Sequence, residues 1–265
     1  MKGQTTLHSF TWQGTGLTDQ GLVRTANQDC FAVDNTAGLW IVADGMGGHA
    51  GGSMASQLAV RAVTDYFIAS STSQALIQRT DAADRAHHIE TLLAAAITSA
   101  DSLVRTTAAH TPDLAGMGTT IVVGLFCPGA APSVAIGHIG DSRAYLIRDR
   151  QIRPLTTDHS FVQRLVTEGR VSVDEAKRHP QQNILLRAIG VGEQVPPDVT
   201  THTLSPSDVL LLCTDGLTKM VEEQEMLGLI LEHNDRPAEA CQPLIALANA
   251  RGGKDNTTVI LVSSH

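Results

Sequence analysis

The chain has 265 residues, of which 42% are hydrophobic and 17% are charged, and its formal net charge at pH 7 is -8. This length can bury a sizeable core, and the acidic balance argues against nucleic-acid and anionic-membrane partners, which would repel it. The amino terminus shows no signal-peptide pattern, and no apolar run approaches the ~20 residues that span a bilayer. Four cysteines scattered among apolar neighbours predict buried free thiols, a reducing compartment and therefore a cytoplasmic protein.

The first half of the chain predicts strands followed by two helices. Apolar segments indicate strands at residues 10–15, 31–34 and 39–43. Apolar residues at helical spacing predict helices at residues 53–68 and 86–109, and the polar stretch at 70–85 is expected to connect them.

The second half predicts several strands in succession, then two helices and a last strand. The predicted strands are residues 119–126, 133–139, 142–148, 151–155, 198–204, 209–213 and 257–263. The predicted helices are residues 222–232 and 237–250. Residues 156–198 form a mixed region with few apolar anchors, which could cover a site.

The order of these elements indicates the class of fold. Helices come in pairs rather than alternating singly with strands, which argues against a doubly wound parallel sheet. The pattern favours antiparallel sheet layers covered by helix pairs. No linker rich in Pro, Gly or Ser divides the chain, so we expect one domain over residues 1–265.

A glycine-rich loop, "ADGMGGHAGG" at residues 43–52, follows an apolar strand. Its "GMGGHA" fits the G-x-G-x-x-A pattern of dinucleotide-binding loops, between a predicted strand and a predicted helix. Two features argue against that interpretation. Asp44 would repel a pyrophosphate, and the helix is followed by a second helix instead of the parallel strand of a βαβ unit.

Carboxylates abut the ends of several apolar strands. Asp44 ends "LWIVAD", Asp141 ends "VAIGHIGD", Asp215 ends "VLLLCTD", and Asp255 precedes "NTTVILV". Each Asp-Gly pair taken alone is explained by a turn. If the strand ends lie together, however, the four carboxylates converge, and like charges within a few Å disfavour joint ionisation.

Divalent cations would make such a cluster tolerable. Mg²⁺ and Mn²⁺ prefer oxygen ligands, and the sequence has no His/Cys set with zinc-type spacing. Gly45 could offer its carbonyl to a metal, and we expect the ions and their water shell to fill the space beside this loop. Gly51 and Gly52 are expected to allow close packing where the helix begins.

With these motifs in hand, the sequence resembles the bacterial protein phosphatase 2C family, the metal-dependent serine/threonine phosphatases. The resemblance covers nearly the whole chain and keeps family order through "GLVRTANQD", "VADGMGGHAGG", "GMGTT", "HIGDSRAYLIRD", "LLCTDGL" and "GGKDNTTVI". It implies an α+β fold of four layers, an αββα sandwich in which two antiparallel β-sheets are flanked by helix pairs.

The resemblance also implies a set of metal ligands. Asp44 would bridge two Mn²⁺ or Mg²⁺ ions, and the carbonyl of Gly45 would bind one of them. Asp215 and Asp255 would hold the other ion. Asp141 would help to bind a weaker third ion together with Asp215.

Two further residues and one segment receive roles in the same way. Arg24 would hold the substrate phosphate, although the residue alone could be a solvated surface arginine. Asp29 would support metal-bound water, although it could also cap a turn. Residues 156–190 match the variable flap of the family, and "GMGTT" at residues 116–120 is interpreted as structural.

The activity implied is hydrolysis of phosphoserine and phosphothreonine on proteins by direct attack of a hydroxide shared by the two metals, opposing a bacterial Ser/Thr kinase. The protein is expected to act as a monomer. Some family members carry His after the Asp-Gly pair, whereas this chain has Met46. Metal-bound water, His49 or His159 are therefore the candidates for the general acid.

Two other functions fit the same sequence features. A catalytically silent module could dock phosphoproteins, and loss of a metal carboxylate would indicate it, but none is lost here. A small-molecule phosphomonoesterase of the same fold would use the same chemistry, and the two differ only in the flap and surface.

Overall fold

The computed structural model describes residues 11–47, 49–69, 82–129, 131–233 and 236–264, with the backbone alone for residues 49, 69 and 82–84. Within these ranges, none of the helices combines the length and the apolar character that a membrane crossing requires. All four cysteines are free thiols, as predicted; three are buried and Cys30 is half-buried.

Eleven strands form two antiparallel sheets in the described residues. They are β1 (Trp12–Asp19), β2 (Asp29–Asp34), β3 (Leu39–Met46), β4 (Gly118–Thr119), β5 (Ile121–Cys127), β6 (Ser133–Ile139), β7 (Arg143–Arg148), β8 (Gln151–Pro154), β9 (Asp198–Thr203), β10 (Val209–Cys213) and β11 (Thr257–Ser264). The first sheet has the order β1-β11-β10-β7-β8, and the second has the order β2-β3-β5-β6-β9 with β4 paired to β3.

In the part of the chain that the structure describes, the helices form two long pairs and three short segments. They are α1 (His49–Ala69), α2 (Ala82–His110), α3 (Phe161–Thr167), α4 (Val173–Ala176), α5 (Asp215–Thr218), α6 (Glu223–Glu232) and α7 (Cys241–Ala250). Single 3₁₀ turns lie at Pro112–Leu114 and Pro237–Ala240.

Three hydrophobic layers hold the sheets and helices together. Successive residues of β3 face opposite ways: Ile41 packs with α1 and α2, whereas Trp40 and Val42 pack between the sheets. In β10, Leu211 likewise packs with α6 and α7 and Leu212 packs between the sheets. Both faces of these strands are buried, which explains their continuous apolar sequences. The predicted αββα sandwich is therefore confirmed.

Several boundaries differ from the predicted ones. Helix α1 begins at His49 rather than at residue 53, because Gly51 and Gly52 are helical and pack closely against Met117 and Gln28. Residues 82–85, predicted to be part of the connection, already belong to α2. Residue 10 and residues 70–81 lie outside the described residues.

Residues 156–190 are tied to the rest of the fold at both ends. At the start, Arg143 donates two hydrogen bonds of 2.7 Å to the carboxylate of Asp158. At the end, buried Asp101 accepts the backbone N–H of Gly190 at 2.7 Å and pairs with Arg105. The segment between them carries α3 and α4.

His159 lies inside this segment, in a buried cluster. Its ring stacks on His138 with centroids 4.5 Å apart, and Nδ1 accepts the N–H of Gly140 at 3.1 Å. Its Nε2 lies 3.1 Å from Asp198, and Arg187 bridges the two. Burial, together with the neighbouring imidazole, lowers the pKa of His159 to about 4, so the ring is neutral at neutral pH.

The first prediction concerns acid stability. In the unfolded chain a histidine titrates near ~6.5, so between that pH and about 4 only the unfolded state binds the His159 proton. The stability that His159 contributes is thus complete above that unfolded-state pKa and is lost as the pH falls below it. We expect the free energy of unfolding of His159→Gln, measured by urea denaturation, to fall less between pH 7 and pH 5 than that of the wild type, by ~1–2 kcal/mol.

The matched control is His87→Gln, which changes an exposed histidine on α2. It should show the pH dependence of the wild type. Equal losses of stability in the wild type and in His159→Gln would mean that His159 is protonated in the folded protein, which would contradict the neutral assignment.

Candidate metal centre

The strands bring acidic residues of both sheets to one edge of the sandwich. In the second sheet, Asp44 on β3 lies directly opposite Asp29 on β2. Residues opposite each other on antiparallel strands project from the same face. In the first sheet, the end of β10 pairs with the start of β11, so Asp215 and Asp255 come together.

Asp141 lies where the chain passes from one sheet to the other. It stands in the turn between β6 of the second sheet and β7 of the first sheet. The adjacent Ser142 hydroxyl lies 2.7 Å from the hydroxyl of Thr120, whose Oγ1 also accepts the N–H of Asp44 at 3.0 Å. Asp141 is therefore fixed in relation to Asp44 through two hydroxyl groups.

A cavity of about 360 Å³ opens at this edge. The four predicted metal carboxylates line it, together with Gly45 and Arg24, and the segment 156–190 contributes Asn183 and Leu185; its acidic residues are Asp44, Asp141, Asp215 and Asp255. The convergence of acids that the sequence predicts is therefore present in the fold.

Asp29 does not line the cavity but lies behind it. Its Oδ2 accepts hydrogen bonds from the hydroxyls of Thr258 at 2.6 Å and Thr214 at 2.9 Å. Thr258 lies in β11 of the first sheet and Thr214 directly follows β10, whereas Asp29 belongs to the second sheet, so the carboxylate joins the two sheets beneath the site. Arg24, on the opposite side, donates to Oδ2 of Asp255 at 2.7 Å while half of its side chain stays exposed.

The crowding of acids changes their protonation. Burial raises the pKa of Asp44 well above its usual range, and the charges of Asp29 and Asp215 raise it further. Burial and the charge of Asp215 raise the pKa of Asp141 to about 7, against the opposing effect of Lys219. Burial also raises the pKa of Asp29 to about 7, although its threonine hydrogen bonds oppose the shift. The cluster thus favours cations that would offset its negative charge.

Buried carboxylate oxygens without partners show what kind of cation fits. Among the described residues, Oδ1 of Asp215 and Oδ1 of Asp29 are buried and accept no hydrogen bond. Orphaned buried acceptors are costly, and a cation would satisfy them. The donors around the cavity are carboxylate and carbonyl oxygens, the set that Mg²⁺ and Mn²⁺ take.

The absence of a side chain at Gly45 has a different cause from the predicted one. A Cβ atom there would lie 2.0 Å from the carbonyl oxygen of Gly52 and 2.7 Å from that of Gln28. The same holds for Gly216, where a Cβ would lie 1.9 Å from the carbonyl oxygen of Asn256. Close packing against neighbouring backbone, rather than space for ions, therefore requires glycine directly after Asp44 and Asp215.

Several residues that position the site were not predicted from the sequence. Thr119 donates its hydroxyl to the carbonyl of Asp44 at 2.8 Å, and Thr120 donates its N–H to the same oxygen at 2.9 Å. The motif "GMGTT" is thus structural, as predicted, but through hydrogen bonds to Asp44 as well as through packing. Two adjacent threonines at the start of a buried strand were the available signal.

Asn256 organises the loop that carries Arg24. Its Oδ1 accepts the N–H of Gln28 at 2.8 Å, and its Nδ2 donates to the carbonyls of Gln20 at 2.8 Å and Ala26 at 3.0 Å. The amide next to Asp255 therefore fixes both ends of the loop around Arg24.

Of the two histidine candidates for the general acid, the structure describes the side chain of His159 only. His159 is not among the residues that line the cavity, and its cluster with His138 and Asp198 is bridged by the Arg187 guanidinium. Those three side chains have metal-ligand spacing, but the arginine already supplies a cation there. The side chain of His49 lies outside the described residues.

Comparisons with known proteins agree with this architecture. The family model described as protein phosphatase 2C matches residues 19–251. The serine/threonine phosphatase stp of Listeria monocytogenes is 41% identical over 92% of this chain and 93% of its own length. The serine/threonine protein phosphatase PstP of Mycobacterium tuberculosis is 39% identical over 92% of this chain, which spans 43% of that larger protein.

Solved structures of phosphatases resemble this fold over nearly its whole length. The M. tuberculosis serine/threonine phosphatase PstP/Ppp superposes with a TM-score of 0.82 at 36% identity, covering 95% of this chain and 98% of that one. The catalytic domain of PstP in complex with two manganese ions superposes with a TM-score of 0.80 at 34% identity, covering 97% and 99%. With a family model matching most of its length and relatives at about 40% identity, this chain belongs to the protein phosphatase 2C family.

Proposed function

We propose that the protein is a metal-dependent protein phosphatase that hydrolyses phosphoserine and phosphothreonine on proteins. One observation carries the proposal: a cavity lined by oxygen donors, with an unpartnered buried carboxylate oxygen on Asp215, lies beside the guanidinium of Arg24. Oxygen atoms suited to divalent cations and a guanidinium suited to phosphate thus lie in one cleft, which supports the proposal. The names of the relatives, serine/threonine phosphatases, support the substrate class.

The proposed metal ligands come from both sheets. Asp44 and the carbonyl of Gly45 belong to the second sheet, and Asp215 and Asp255 lie at strand ends of the first. We assign these four as the ligands of two Mn²⁺ or Mg²⁺ ions. The PstP catalytic domain in complex with two manganese ions supports that number. When bound, such ions lower the pKa of water and stabilise the charge of the transferring phosphoryl group.

The other residues hold and orient. Arg24 is half exposed and uses one N–H group on Asp255, which leaves further donors of its planar fork for phosphate oxygens. Asp29 is placed beneath the ligands, where its free oxygen faces a buried environment and its other oxygen is held by two threonines. It would accept a proton or a hydrogen bond there without displacement.

The proton for the departing alkoxide does not come from His159, whose ring is neutral and occupied by Gly140 and Asp198. Water in the open cavity and His49 remain as donors. The expected partners are phosphorylated proteins and an opposing Ser/Thr kinase in a bacterial cytoplasmic signalling pathway, with the enzyme as a monomer. We further propose that residues 1–265 act as one catalytic domain with residues 156–190 as its flap.

A catalytically silent module is not favoured, because all the predicted metal carboxylates line the cavity. A small-molecule phosphomonoesterase would share this site, and peptide substrates separate the two. Phosphoserine and phosphothreonine peptides should be hydrolysed faster than phosphotyrosine peptides.

The second prediction tests the metal dependence. We expect hydrolysis of p-nitrophenyl phosphate to require Mn²⁺ or Mg²⁺ and to stop with EDTA. Asp215→Asn should lower kcat/KM by at least ~100-fold, because even the loss of a partner outside the ligand set costs up to that much. Asp113→Asn, which neutralises an exposed acid far along the chain from the cluster, is the control and should behave as the wild type. Activity that resists both chelation and Asp215→Asn would exclude the proposed function.

The third prediction concerns Arg24. Arg24→Ala should raise KM for p-nitrophenyl phosphate and for phosphopeptides by ~10–100-fold, the value of a hydrogen bond to a charged group. Arg24→Lys should recover only part of the loss, because an ammonium lacks the bidentate geometry. Arg61→Ala, at an exposed pair on α1, is the control. An unchanged KM in Arg24→Ala would remove Arg24 from phosphate binding.

A further inference from the structure

Lys219 brings a positive charge into the acidic cavity. It follows the short helix α5, one turn after Asp215, and lines the cavity with 29% of its side chain exposed. Its Nζ donates to Oδ2 of Asp215 and to Oδ1 of Asn183, the latter at 2.8 Å. The ammonium therefore joins the acidic residues of the cavity to the segment 156–190.

The two oxygens of Asp215 are used differently. Oδ1 is buried and has no hydrogen-bond partner in the described part of the chain, whereas Oδ2 is bonded to Lys219. One oxygen is thus available to an ion and the other already has a cation. The position of a third ion, expected between Asp141 and Asp215, would need that second oxygen.

The Lys219 ammonium and a third divalent ion would compete for the same carboxylates. The Lys219 ammonium also interacts favourably with Asp141 and Asp44, so it neutralises the same carboxylates that a third ion would. A divalent ion sharing Oδ2 with an ammonium would bring like charges within a few Å, which is strongly unfavourable in a buried site. Lys219 would have to leave Asp215 and Asn183 before the ion could enter.

We propose that the ammonium of Lys219 takes the place of the third metal ion, so that this chain binds two divalent ions and supplies the third positive charge itself. The proposal rests on the two-ion site proposed above. It also gives Asn183 a role, because the same ammonium joins the segment 156–190 to the cavity through Oδ1 of Asn183.

The test is the number of Mn²⁺ ions bound per chain at neutral pH, measured by isothermal titration calorimetry and by elemental analysis after equilibrium dialysis. The wild type should bind two ions. Lys219→Met, which keeps the length of the side chain without its charge, should bind a third, with an affinity at least ~10-fold above any third event in the wild type. Lys219→Arg, which keeps a cation, should bind two.

Two further variants locate the additional ion. Lys219→Met combined with Asp141→Asn should return to two ions, because the third position loses its other carboxylate. Lys177→Met is the matched control, since Lys177 also joins the segment 156–190 to the body, through Glu222 at 2.6 Å, and its loss changes the net charge equally. It should bind two ions. If Lys219→Met does not fold, as judged by circular dichroism, Lys219→Gln replaces it.

The outcomes separate this proposal from the proposed function. Three ions in the wild type would overturn the proposal and leave the two-ion phosphatase site intact. Two ions in both the wild type and the folded neutral variant would also overturn it, because Lys219 would then not exclude a third. A wild type that binds no Mn²⁺ would defeat the proposed function, and this proposal with it.

Discussion

The concentration of negative charge at one edge of the sandwich is the constraint on which the site depends. Each carboxylate there raises the cost of ionising the others, and burial adds to that cost. The fold offsets part of it from within: threonine hydroxyls bond to Asp29, Arg24 pairs with Asp255, and Lys219 pairs with Asp215. The unpartnered Oδ1 of Asp215, which lines the cavity, is where a divalent ion would bind.

The sequence predicted the parts of this arrangement that depend on residues close together in the chain. Strands buried on both faces are continuously apolar, so their ends at Asp44 and Asp215 were visible from residue order alone. Helices in pairs indicated covered antiparallel layers. Which strand ends meet depends on the sheet order, which the residues do not state. The family resemblance implied only that the four acids converge, and the structure places them around one cavity.

The features that escaped prediction depend on tertiary contacts. Gly51 and Gly52 look like a loop in sequence, but they belong to α1. They are glycines because a Cβ atom there would meet Met117 and Gln28. The bond between Asp215 and Lys219 needs a helical turn directly after a strand, at residues with no apolar periodicity to indicate one. Thr119 and Thr120 act on Asp44 across some 75 positions of the chain, a separation at which sequence patterns carry no contact information.

The chain passes from the second sheet to the first between β6 and β7, so the acidic residues of the site come from both sheets. The hydrophobic layer between the sheets therefore affects the site. Because the oxygen donors are divided between the two sheets, the spacing of any ions they hold depends on how the sheets stack. Close-packed interiors transmit strain. Side chains such as Trp40 and Leu212, which do not line the cavity, fill the layer between the sheets and set their separation. Smaller side chains in that layer would change the distances between the ligands and so lower the affinity for ions. Residues that no ligand touches are therefore also under selection for catalysis.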